Sequence, residues 1–167
     1  MTTHTRADRL TILMADDDED DRDLARDAFQ DAGLDGEIRF VHDGQHLLDY
    51  LRDQERRLEN DRPGIIVLDL NMPRMDGREA LSEIKADESL CEIPVVVLTT
   101  SKDSEDISRC YCAGANSFIA KPVTHAGLVD VMRHLKDYWF EFVELPQQPQ
   151  LSRRAPGFAD SRVGGRR

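Results

Sequence analysis

Apolar and polar positions along the chain follow two alternating rhythms. Residues 65–69 and 94–99 are continuous apolar runs, the pattern of central parallel strands covered on both faces. Leu10–Ala15, residues 37–42 and Ser117–Ala120 read as three further, shorter strands. Between the strands the period lengthens. A helix is predicted over 19–32 and closed by Gly33, the residue that most easily takes the left-handed turn ending a helix. A long one is predicted over 43–60, with Leu47, Leu48, Leu51 and Leu58 near one face, broken by Arg62-Pro63-Gly64. Shorter helices are expected over 77–87 and 103–113. The last, over 124–144, carries a stripe of Leu128, Val131, Met132, Leu135, Trp139 and Phe142 spaced by three and four. Val129 and Phe140 fall off that stripe.

Five strand–helix units with short loops predict an α/β fold built on a doubly wound, five-stranded parallel sheet. Residues 9–145 form one expected domain, preceded by a polar extension over 1–8. From Pro146 the composition shifts to Pro, Gln, Arg, Ser and Gly, which reads as a flexible tail.

Composition narrows the function classes. No apolar run approaches the roughly 18–20 residues needed to span a bilayer, and the N-terminus lacks a secretory signal's apolar stretch. A cytoplasmic protein without membrane contact is expected. The formal charge is −11, and the tail carries +4 from five arginines and one aspartate, which puts −15 on the residues before it. A body that acidic repels nucleic acid, and the tail has neither a predicted helix nor aromatic interleaving, so DNA binding is not expected. Cys110 and Cys112 are two apart on a predicted helix, point to different sides and make a poor chelate. His42 and His46 lack a third ligand for zinc.

The informative polar residues collect where strands end. Asp16 and Asp17 follow the first strand, Asp69 ends the third, Thr99 the fourth, and Lys121 follows the fifth. Open α/β sheets bind ligands outside the carboxyl ends of their strands. Three converging carboxylates call for a hard cation, and Mg²⁺ prefers oxygen donors and shares its coordination with phosphate oxygens. Asp69 closes an apolar strand, where a carboxylate without a purpose is expensive. It can act as a nucleophile and become an aspartyl-phosphate, with Lys121 as counter-charge and Thr99 as hydroxyl donor. Asp18, Glu19, Asp20 and Asp21 are better read as helix capping and dipole compensation.

These residues resemble the receiver domain of two-component response regulators. The likeness is strong around Asp69-Leu-Asn-Met-Pro-Arg-Met-Asp-Gly77, includes Asp16-Asp17, Thr99-Thr100 and Lys121-Pro122, and covers about residues 9–145 in order. It implies a flavodoxin-like (βα)5 sheet with strand order 2-1-3-4-5 and phosphoryl transfer to Asp69 from a histidine kinase. It also implies Mg²⁺ held by Asp17, Asp69 and the backbone carbonyl of Asn71, with Asp16 helping through water. Phe118 takes the place of the switch aromatic, expected to move with Thr99, and the Lys121–Pro122 peptide is often cis in the family. The long second helix and the ending from Tyr138 to Pro146 look like stand-alone regulators paired with phytochrome-type kinases. Thr100 departs from the pattern: many receivers have Ala there.

The resemblance implies a signalling module acting through protein contacts. A phosphatase of the haloacid dehalogenase type is the competing class, but such enzymes place a second Asp two residues beyond the nucleophile as general acid. Here that residue is Asn71, which has no proton to give. A scaffold that is never phosphorylated is the third reading, disfavoured by the complete residue set. Val129 and Phe140, with the fourth helix and fifth strand, are candidates for a homodimer face.

Overall fold

The computed structural model describes residues 10–53 and 62–146. Five strands alternate with five α-helices: β1 Leu10–Ala15, α1 Glu19–Asp31, β2 Gly36–Val41, α2 Gly44–Arg52, β3 Ile65–Leu68, α3 Gly77–Ala86, β4 Val95–Thr99, α4 Ser104–Cys112, β5 Ser117–Ala120 and α5 His125–Lys136. A π-helical turn, Asp137–Phe142, continues α5. All strand pairs are parallel, in the order β2-β1-β3-β4-β5. The expected topology is therefore present.

Period-two alternation divides the core into two layers. Leu13, Ala15, Ile66, Leu68, Val95 and Val97 face α2, α3 and α4 through Leu47, Leu48, Leu51, Leu81, Ile84 and Cys110. Their neighbours Ile12, Met14, Ile65, Val67, Val96 and Leu98 face the other way, onto Phe29 of α1 and Met132, Leu135 and Trp139 at the α5 end. Both faces of β3 and β4 are buried, which is why their sequences are continuously apolar.

Three expectations need correction. The second helix stops at Arg52, because Asp53 turns to extended backbone (φ −63°, ψ 114°). The remainder of that predicted helix, including Leu58, lies outside the described residues, and Arg62-Pro63-Gly64 leads into β3. The stripe of the last helix is also displaced: Val129 is buried, Phe140 is half-buried against the core, and Phe142 is 81% exposed. For Phe140 and Phe142 the cause is the π turn, where the Val143 amide donates to Tyr138 O at 3.0 Å, five residues back; Val129 precedes it and packs with Met132 and Leu135 on the core side of α5. The wider turn rotates everything after it off an α-helical stripe. Finally, the Lys121–Pro122 peptide is trans, the form favoured by about 0.5–1 kcal/mol in X–Pro bonds.

Candidate functional site

The strand order reverses at β1, so a crevice opens at the carboxyl ends of β1 and β3. Backbone bonds fix the two strand ends there: the Asp16 amide donates to Val41 O and the Asp69 amide to Ala15 O, each at 3.0 Å. Asp16 and Asp69 therefore face one crevice, both buried. Asp17 is exposed at its rim. One carboxylate oxygen from each of Asp16, Asp17 and Asp69 lies within 4.8 Å of the other two.

Loop chemistry holds this geometry. Asp18 caps α1, accepting from the Asp20 and Asp21 amides, as its place before the helix implies. The Asp18 amide donates to Asp16 Oδ1 (3.0 Å), and Arg22 on α1 donates to the Asp16 carbonyl (2.9 Å). After β3, the Asn71 amide approaches Asp69 Oδ1 at 3.3 Å. Asp76 caps α3, accepting from the Arg78 and Glu79 amides. Gly77 sits directly beneath: a Cβ there would come within 2.0 Å of the Asp69 carbonyl oxygen. Only glycine lets this loop close against the strand end that carries Asp69.

Lys121 is the single cation at the centre. It leaves β5 with its amide donating to Thr99 O (2.8 Å), and its Nζ meets Asp16 Oδ2 at 2.6 Å, Asp21 Oδ2 at 2.8 Å and Asp69 Oδ2 at 3.2 Å. Burial works against its charge, but the hydrogen bonds to Asp16 and Asp21 and the attraction of Asp16 and Asp69 outweigh it, and its pKa rises. Burial likewise pushes the Asp16 carboxyl up, opposed by its bond to Lys121.

Thr99 is fully buried at the end of β4, with the Ser101 amide 3.5 Å from its Oγ1. Phe118 is half-buried and packs against the core layer under α4. Asn71 is exposed beside Asp69. Of the predicted set, Asp16, Asp17, Asp69 and Lys121 come together, while Thr99 ends the neighbouring strand β4 and Phe118 lies on β5. The sequence reading missed Asp21, which contacts Lys121 besides standing in the first turn of α1. Nothing in the local sequence singled it out, since an acidic residue in the first turn of a helix is already explained by the helix dipole. Among the described residues no other group of three or more His, Cys, Asp or Glu has metal-holding proximity; His42 and His46 are a tilted ring pair with centroids 4.3 Å apart and planes at 58°. Cys110 is buried, Cys112 exposed, and both are free thiols.

The donors fit a hard divalent cation: all are carboxylate oxygens, three carboxylates meet one ammonium, and a fourth, Asp17, joins Asp16 and Asp69 at the rim. A parallel five-stranded sheet with acidic groups and a lysine at its switch point defines a receiver-type signalling domain. The chain belongs to the response regulator receiver domain family, whose family model matches residues 12–133. It is 38% identical over 139 residues to the "Probable methanogenesis regulatory protein FilR2" of Methanothrix harundinacea, covering 83% of this chain and 89% of that protein. It is 35% identical over 135 residues to the response regulator Rcp1 of Synechocystis sp., covering 81% and 92%. The phosphorylated cyanobacterial phytochrome response regulator RcpA superposes with a TM-score of 0.76 at 34% identity, covering 83% of this chain and 99% of that one. The Mn²⁺-bound form of Rcp1 superposes with a TM-score of 0.73 at 34% identity and the same coverage. Receivers serve two-component signalling, and phosphorylation on an aspartate is their general function. Among the described residues, no helix is long and apolar enough to cross a membrane.

Proposed function

We propose that Asp69 is the aspartate phosphorylated in this regulator, that Asp16, Asp17, Asp69 and the Asn71 carbonyl hold Mg²⁺, and that the donor is a phytochrome-type histidine kinase in the cytoplasm. The observation that carries the reading is the convergence of Asp16, Asp17 and Lys121 on the buried Asp69 carboxylate. An Asp69 oxygen attacks phosphorus, the phosphohistidine N–P bond breaks, and the departing imidazole takes a proton as the acyl phosphate forms. Bound Mg²⁺ supplies charge neutralisation for the phosphoryl oxygens. Lys121 brings its ammonium to the same oxygens, already oriented and needing little reorganisation. Thr99 offers its hydroxyl from the end of β4, and Phe118 on β5 follows it. Asn71 lacks the proton a phosphatase would need there, so the chain catalyses only its own phosphorylation and dephosphorylation.

Intact mass after incubation with a small phosphoryl donor tests this. A single phosphoryl adduct is expected with Mg²⁺, absent without it and absent in Asp69→Asn. Equal labelling of the Asn variant, or rapid multiple turnover by the wild type, counts against the reading.

The exposed ring of Phe142, stacked on Tyr138 with centroids 6.2 Å apart, favours homodimerisation through the end of the last helix with α4 and β5. Phe142→Asp is then expected to halve the sedimenting mass. Because Phe140 is half-buried against the core, it is the poorer probe of that face. A wild type already monomeric overturns it.

A further inference from the structure

Lys121 has three N–H donors, and three carboxylates take them. Two of these, Asp16 and Asp69, belong to the carboxylate group fit for a cation; the third, Asp21, does not. The three also differ in setting. The side chain of Asp16 is fully buried and that of Asp69 is 8% exposed, whereas Asp21 stands on α1 with 39% exposed. An ammonium and a divalent cation compete for the same two buried oxygens, where low dielectric strengthens every attraction. Whatever draws the ammonium toward α1 works against that competition.

We infer that Asp21 is a positioning residue that draws one N–H of Lys121 toward α1 and so loosens the ammonium's hold on Asp16 and Asp69, easing their capture by a divalent cation. Without it, the ammonium keeps only the two buried carboxylates as partners and settles between them. The cation must then displace it. Asp21 acts through Lys121, not as another metal ligand. The inference rests on the proposed Mg²⁺ site and names what regulates access to it.

Calorimetric titration of the full chain with Mg²⁺ tests this without any phosphorylation. Asp21→Ala is expected to weaken Mg²⁺ binding about tenfold, the lower end of what losing a residue that orients a metal site costs. Asp20→Ala removes the same charge from the same helical turn without touching Lys121, and is expected to weaken binding by less than about twofold. Asp21→Glu, long enough to reach the ammonium, restores most of the affinity. In a Lys121→Met background, Asp21→Ala costs no more than Asp20→Ala, because the competitor is gone. Lys121→Gln serves as the background if the Met variant does not fold. An equal loss in both backgrounds overturns the inference, as does a loss no greater than that of Asp20→Ala in the native background. Both results leave wild-type Mg²⁺ binding intact; a wild type that binds no Mg²⁺ overturns the site reading as well.

Discussion

Two ionic clusters sit at the same edge of the sheet and are built on opposite plans. Around Lys121, one ammonium faces Asp16, Asp21 and Asp69, with Asp17 close by. A short distance along, Arg78 at the start of α3 grips Asp106 on α4 with two parallel bonds of 2.7 and 2.6 Å. Ser101 completes that pair by donating to Asp106 at 2.7 Å. In the second cluster a planar fork meets a planar carboxylate, Asp76 also lies 3.8 Å from Arg78, and Arg109 adds its attraction to Asp106, so Asp106 is satisfied by protein groups alone. The first carries more negative charge than its lysine can neutralise, in a crevice with two buried carboxylates. An unbalanced cluster marks a place where something else binds; a balanced one marks a joint that fixes two loops.

That contrast can be broken by removing each cluster's cation. Lys121→Met is expected to lower stability by about 3 kcal/mol in chelator, since the buried Asp16 and Asp69 lose the one cation that pairs with them among the described residues. Denaturant unfolding should show the deficit shrinking when Mg²⁺ is added. If Mg²⁺ makes no difference, the surplus charge is not a cation site. Arg78→Met should cost only about 1 kcal/mol, because Arg78 is a third exposed and solvent screens the pair. Added Mg²⁺ should leave that loss unchanged.

Relieving the surplus should have the opposite sign. Asp17→Asn is expected to stabilise the metal-free protein by about 0.5 kcal/mol while weakening Mg²⁺ binding, a trade common where a site stores unfavourable charge. Thermal melts with and without Mg²⁺ should cross over between the variant and wild type.

The smallest effect concerns pH. Its bonds from Arg78 and Ser101 hold the Asp106 carboxyl down, from 3.8 to about 2. A carboxyl depressed on folding stabilises above its unfolded pKa and loses that contribution as pH falls through the folded one. The gap in urea midpoint between wild type and Asp106→Asn should therefore be full above pH 3.8 and close as pH drops through about 2. A gap constant across that window would sink the assignment.

Much of the molecule was legible before any coordinates. Continuous apolar runs marked β3 and β4 because both faces of a central parallel strand are covered. Asp16, Asp17, Asp69, Thr99 and Lys121 stood out because each lies at a strand's carboxyl end. Asp21 was hidden inside an acidic helix start, where capping chemistry explains the same residue type. The end of the last helix was misread because no local pattern announced the π turn that turns Phe142 outward, while Trp139 is buried as its place in the stripe implied. Arg78 and Asp106 lie 28 residues apart, and nothing in their spacing pairs them.

The sequence by itself singled out the residues proposed to carry the chemistry and roughly which strand presents each, because period and strand ends are local properties. The family resemblance supplied the strand order. Only the tertiary structure decided which carboxylates share Lys121 and which cation is already satisfied. Those partnerships join residues up to 105 positions apart, and their geometry exists only once the strands are side by side. Charge balance is a property of neighbours in space, and the chain lists neighbours in order.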